Sequence, residues 1–336
     1  MKNLIIPKLY SSRLDLIETQ IAIKFVKDTF QVELAKALNL QRVSAPLFVF
    51  PESGLNDGLN GFERPVSFDV SSLHKNVEIV QSLAKWKRNA LAKYHIEENK
   101  GIYTDMNAIR RDEELDSIHS IYVDQWDWEK AISKKQRNKD YLHEVVNKIY
   151  HVFKYTADKT KERFPKLRGL YLPDDIVFIT SGELEKKYPG LDNKARENAF
   201  AKEYKAIFIE EIGWPLSYGK PHDGRASDYD DWNLNGDLLI WDEVLGIALE
   251  ISSMGIRVDA KALRAQMEFK EEKGKMTSPY HQAILNDELP YSIGGGIGQS
   301  RLCMLILEKA HIGEVQASAW SEDDLQLLRK NNIILL

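Results

Sequence analysis

Several side chains in this 336-residue sequence sit where charge and apolar surface meet. Lys87 shares a spacing of three or four residues with Val80, Leu83, Ala84, Ala90 and Leu91, so on a helix its ammonium lies within an apolar stripe. Such a lysine either lifts its charge to the rim along its alkyl stem or holds an anion in a partly desolvated pocket. Arg110 ends a strand candidate on the face of Met106 and Ala108, and a planar guanidinium suits phosphate because it donates two parallel hydrogen bonds. On the next strand candidate, alternation sets Ile121, Val123, Gln125 and Asp127 against Tyr122, Asp124, Trp126 and Trp128. Both faces mix polar with apolar groups, as the wall of a ligand cleft would, or an edge strand with one wet side. Asp237 precedes an apolar strand and Glu250 follows another. Two carboxylates on neighbouring strands suit Mg²⁺, which takes one or two protein carboxylates together with substrate phosphates. Asp223, Asp228, Asp230 and Asp231 read as a solvated acidic loop from which at most one member reaches a site. Last, Gly294-Gly295-Gly296-Ile297-Gly298-Gln299-Ser300-Arg301 reads as the opening of an apolar helix, where backbone approaches a ligand closely and Arg301 adds a cation. No Gly-Lys-Ser/Thr follows, so it is not a Walker A loop.

The elements that must hold these residues follow from periodicity. A helix is expected from Thr19, closed by Asn39, then a strand at Arg42 to Pro46 and a second helix over about Val77 to Tyr94. Gly101 to Arg110 and Ser120 to Trp128 read as an antiparallel hairpin with the charged tip Arg111 to Asp116. Residues 130–166 look helical, with a solvated polar side. Short apolar runs at 176–179, 206–209, 237–241, 246–252 and 294–307 complete the set. Strands at this irregular spacing predict an α+β fold, a mixed, mainly antiparallel sheet flanked by helices, and without repeats or a linker the expectation is one domain over residues 1–336.

Composition narrows the function. A formal charge of -5 argues against a protein whose main task is gripping a nucleic-acid backbone. The single cysteine, Cys303, lies in the apolar run Leu302 to Leu305 and reads as a buried, inert thiol; it excludes an internal disulfide or a thiolate zinc site. Residues 1–10 lack the apolar core of a signal peptide and no stretch reaches the length of a membrane span, so a cytoplasmic protein is expected.

In order, the helix with Pro46, the hairpin with Arg110 and Asp112-Glu113, and the glycine run with Arg301 resemble the three motifs of class II aminoacyl-tRNA synthetases. A narrower resemblance rests on Ser82 to Arg88, His119 to Glu129, Asp228 to Trp232 and Ser252 to Asp259, which look like asparagine synthetase A, the ammonia-dependent aspartate ligases. That resemblance implies a homodimeric cytoplasmic enzyme with a synthetase-like catalytic domain, no anticodon-binding domain and no tRNA partner. The reaction it implies turns L-aspartate, ATP and ammonia into L-asparagine, AMP and diphosphate through a β-aspartyl-adenylate. It further implies that Arg110 contacts the α-phosphate and Arg301 the terminal phosphates, with Glu113, Gly296 and Gly298 also at ATP, and that Asp237 with Glu250 holds Mg²⁺. Asp57, Lys87, Gln125 and Asp127, helped by Ser253 and Arg257, would surround the amino acid, and Asp230 would stand near the ammonia. Arg111 follows Arg110 where the family pattern has proline. Strand parity favours Arg110 for the α-phosphate, whereas the Arg-Asp-Glu spacing of aspartyl-tRNA synthetases favours Arg111.

Overall fold

The computed structural model describes residues 4–59 and 63–336. It opens with α1 (Leu16–Leu38), which starts earlier than the apolar pattern because Asp15 and Glu18 form a reciprocal capping box: Glu18 N donates to Asp15 at 2.8 Å and Asp15 N to Glu18 at 3.1 Å. Asn39 ends it in the left-handed conformation at φ 58°. Ala22, Val26, Phe30, Leu34 and Leu38, four apart, form a wholly buried stripe, and each large member contributes about 1.5–3 kcal/mol through burial.

An eight-stranded sheet carries the fold. It contains β1 (Leu40–Arg42), β5 (Gly101–Ile109), β6 (Tyr122–Ala131), β7 (Val177–Thr180), β8 (Ala206–Glu210), β9 (Asp230–Asp242), β10 (Ile247–Arg257) and β11 (Ser292–Gly298). Their spatial order is β1-β5-β6-β11-β10-β9-β8-β7, antiparallel except for the parallel edge pairs β1–β5 and β7–β8. The expected mixed, mainly antiparallel sheet is what forms. A separate small sheet has the order β2-β4-β3, from β2 (Phe48–Val49), β3 (Ser67–Val70) and β4 (Lys75–Ile79).

One face of the large sheet is dry. There α1, α3 (Lys139–Arg163) and α8 (Gln299–Ile306) pack on the apolar side, with Phe30 stacked on Trp126 at 4.8 Å between ring centroids. Cys303 is fully buried in this layer, and burial pushes its thiol up to about 12. Helices α2 (Ala84–Lys93) and α5 (Asn193–Tyr204) pack on the opposite face and leave an open cavity between them. The remaining helices are α4 (Ser181–Lys187), α6 (Ala260–Phe269), α7 (Pro279–Leu285) and α9 (Glu322–Lys330). Among the described residues no helix is long and apolar enough to cross a membrane.

Three expectations are corrected. The helix read over Val77 to Tyr94 is a strand, a short link and a shorter helix, since Val77 pairs in β4 and α2 begins at Ala84. The candidate strand at Arg42 to Pro46 is β1, three residues ending at Arg42. The glycine run does not open a helix: Gly294 to Gly298 lie in β11, mid-sheet between β6 and β10, and α8 starts only at Gln299.

Candidate active site

The cavity on the open face measures about 780 Å³. The alternation read in β6 sorts its two roles: Trp126 and Trp128 enter the core, while Gln125 and Asp127 line the cavity. Because β6 is central, paired with both β5 and β11, the edge-strand reading falls.

Lys87 neither reaches the rim nor waits for a distant anion. The residue is 1% exposed, and its ammonium donates to Asp127 Oδ1 and, at 2.9 Å, to the carbonyl of Gly295. The same cavity is lined by oxygens that only accept. Asp57 Oδ2, Asp127 Oδ2 and Gln81 Oε1 are all buried with no partner among the described residues, and all three side chains line the cavity. Burial pushes the Asp57 carboxyl up, against the pull of Lys85 and with the push of Asp228. Three buried, unpaired acceptors lining one cavity suit a cationic donor, since an unpaired buried acceptor costs free energy.

Arg257 is fully engaged. Its Nε and Nη2 meet Glu129, Nη2 at 2.7 Å, and Nη1 donates to Asp230. Glycine makes this possible: a Cβ at Gly294 would fall 1.9 Å from Glu129 Oε2 and 2.5 Å from Arg257 Nη2. Burial pushes the Asp230 carboxyl up, against the attraction of Arg257.

The acidic loop reading is overturned. Asp228, Asp230 and Asp231 are buried and ion-paired, and only Asp223 is exposed. Asp228 accepts from His281 at 2.9 Å and from Lys85 at 2.7 Å; burial opposes its charge, but these two hold its carboxyl down at about 2. Asp231 pairs with Arg137.

The same cavity carries two further cations of the sequence reading. Arg110, at the end of β5, and Arg301, in α8, both line it, as does Glu113, 4.0 Å from Arg110. Arg111 is exposed and stays off the cavity wall. Arg301 Nη1 donates to the carbonyl of Glu250 at 3.2 Å. The amide of Ser300, in the first turn of α8, donates to Asp124 at 3.1 Å. Gly296 and Gly298 line the cavity, and at Gly296 the reason is steric, since a Cβ there would fall 2.5 Å from Gln125 Oε1.

Ser253, Asp230 and Glu250 reach the cavity wall; Asp237 alone of the expected residues does not. Asp237 Oδ2 pairs with Arg225, Oδ1 is buried without a partner among the described residues, and burial pushes the carboxyl up to about 6, with Arg225 opposing the rise and Glu250 and Asp223 adding to it. Among the described residues no three His, Cys, Asp or Glu side chains are grouped to hold a metal alone. A pair with one orphaned oxygen fits Mg²⁺, whose other ligands would come from phosphates and water.

Sequence reasoning missed Gln81, Lys85, Glu129, Lys194 and Arg225. Glu129 follows Asp127 by two residues on the same face of β6, a signal that was present; Lys194 and Arg225 come from a helix and a loop that no periodicity ties to the cavity.

Comparison with known proteins agrees with this geometry. The family model described as aspartate-ammonia ligase matches residues 17–332. Among curated relatives, an aspartate–ammonia ligase of Fusobacterium nucleatum is 62% identical over 97% of this chain and 99% of its own length. One of Clostridium perfringens is 57% identical over the whole of both. Among solved structures, asparaginyl-tRNA synthetase from Pyrococcus horikoshii complexed with asparaginyl-adenylate superposes with a TM-score of 0.64 at 17% identity, covering 90% of this chain and 70% of that one. That likeness is one of fold, the class II synthetase catalytic architecture. With the match running almost end to end and the cavity built from the motif residues, the chain belongs to the aspartate–ammonia ligase family.

Proposed function

We propose that this chain makes L-asparagine from L-aspartate, ammonia and ATP, releasing AMP and diphosphate through a β-aspartyl-adenylate. The observation that carries the reading is that one cavity is lined both by Arg110 and Arg301, from different elements, and by Lys87 with Asp57, Asp127 and Gln81, the last three carrying buried oxygens that have no partner among the described residues.

A carboxylate is a poor acyl donor, so it must first be activated. In this reading one oxygen of the substrate's β-carboxylate attacks the α-phosphorus and the bond to the diphosphate breaks. Pressing an anion against a polyanion requires cations fixed beforehand, the role of Arg110 at the α-phosphate and Arg301 at the outer phosphates. Asp237 and Glu250 would hold Mg²⁺, which when bound neutralises phosphate charge. Lys87 turns from Asp127 toward a substrate carboxylate, while Asp57, Gln81 and Asp127 accept from the α-ammonium. Gln125, Ser253 and Arg257 close around the amino acid, with Glu129 holding Arg257. Ammonia then attacks the acyl carbon, AMP leaves, and Asp230, its proton affinity raised by burial, takes the proton that nitrogen sheds. Free ammonia rather than glutamine is the nitrogen source in this proposal, because the sole thiol is buried on the far side of the sheet.

We further propose one catalytic unit over residues 1–336, working as a homodimer in the cytoplasm without a tRNA partner. The sheet draws strands from residue 40 to residue 298, which supports the first. Exposed Leu47, Phe48, Phe50 and Phe68 on the small sheet, with Ile17 and Ile21 on α1, support the second, since exposed apolar patches mark association surfaces.

Mass detection of AMP and asparagine after incubation with aspartate, ATP, magnesium and ammonium tests the function. Formation of ADP instead of AMP, or of aspartyl-tRNA in a charging assay with no free asparagine, would overturn it.

A further inference from the structure

The segment between β8 and β9 brings one more guanidinium to the cavity. Arg225 lines it, as do Arg301 and Glu250. Its Nη2 donates to Asp237 Oδ2, and Nη1 donates to Asp223 at 3.1 Å and to the carbonyl of Gly224 at 2.8 Å. Its Nε is buried without a partner among the described residues. The backbone beside it is pinned, because the Trp232 indole donates to the carbonyl of Ala226 at 3.0 Å.

Asp237 fails to reach the cavity wall, and the group bound to it on the cavity side is Arg225. A divalent cation and a guanidinium on the same carboxylate repel each other, strongly so where water is scarce. The same fork is well shaped for phosphate oxygens. We infer that Arg225 is the resident counter-cation of Asp237 in the nucleotide-free enzyme, and that metal binding turns it onto the departing pyrophosphate as a third guanidinium beside Arg110 and Arg301. The inference rests on the adenylation chemistry proposed above. It makes metal and polyphosphate bind as coupled partners, since each removes an obstacle to the other.

The test uses the full chain. Mn²⁺ alone is titrated and followed by electron paramagnetic resonance, and inorganic pyrophosphate is titrated by calorimetry in excess magnesium, for the wild type, Arg225→Gln and Arg225→Lys. Arg225→Gln is expected to bind Mn²⁺ alone at least about tenfold tighter, because a competing charge is gone, and pyrophosphate about tenfold more weakly, because a bidentate donor is gone. Arg225→Lys keeps the charge and loses the fork, so its Mn²⁺ affinity stays near that of the wild type while its pyrophosphate affinity falls. Unchanged or weaker Mn²⁺ binding in a cooperatively melting Arg225→Gln protein overturns the inference. So does undiminished pyrophosphate binding in Arg225→Lys, which decides the matter if the glutamine variant does not fold. A wild type that makes no asparagine would instead sink the proposed function and leave the Mn²⁺ competition measurable.

Discussion

Lys87 and Asp127 form a buried pair whose two charges depend on each other, with side-chain exposures of 2% and 4%. Replacing Lys87 with methionine leaves Asp127 desolvated and uncompensated, which should cost about 3–5 kcal/mol in urea unfolding. The same variant should lose aspartate-dependent pyrophosphate exchange. Adding Asp127→Asn should restore part of the stability and none of the exchange; a single variant as stable as the wild type would show that the pair is not structural. Single residues were legible where a family motif or strand parity pointed at them, as for Lys87, Gln125 and Arg110. They were illegible where a counter-charge arrives from far along the chain. Asp228, Asp230 and Asp231 look solvated in sequence because Lys85, Arg257 and Arg137 are not their sequence neighbours. Arg225 stood beside two of its partners, Asp223 and Gly224, yet nothing in the sequence aims it at Asp237.

Strand β11 shows why glycine matters more here for what it leaves out than for flexibility. Gly294→Ala would force a methyl into Glu129 and the Arg257 guanidinium. The expected result is a rise in KM for aspartate of at least about tenfold, as a charge-assisted network is displaced, with the KM for ATP little moved; equal loss for both substrates would point to general disruption instead. A second element, the β9–β10 turn, carries a charge burden. Asp242 accepts from Val244 N at 2.7 Å and Leu245 N at 3.1 Å, its Oδ2 is buried without a partner, and burial pushes the carboxyl up to about 6. The folded chain thus holds a proton that the unfolded chain releases near pH 4. Stability from this group is complete below that pH and is lost as pH rises through 6, by on the order of 3 kcal/mol for a shift from 3.8 to about 6. Asp242→Asn should flatten that fall between about pH 4 and 6 in chemical unfolding; an unaltered pH slope would remove Asp242 as its source. Elements were legible where one period held throughout, as in α1. The misreading of Val77 to Tyr94 arose because Val77, Val80, Leu83, Lys87 and Leu91 keep a helical spacing by accident, the first being buried by pairing in β4 rather than by a helix face.

At the scale of the molecule, one sheet separates a dry side from a chemical side, and strand alternation assigns residues to each. Composition and irregular strand spacing made the mixed sheet foreseeable. The order β1-β5-β6-β11-β10-β9-β8-β7 was not, because pairing partners far apart in sequence leave no periodic trace. That two-sided construction has a practical result for the single thiol, which lies in α8. With no exposure and a thiol held near 12, Cys303 should ignore alkylating reagents while the chain is folded. Its labelling rate should follow full opening of the core, matching the global free energy from denaturant titration, whereas rapid labelling of the native chain would reveal a local breach in that layer. The molecule thus comes with its own built-in clock for unfolding, read by mass at a single position.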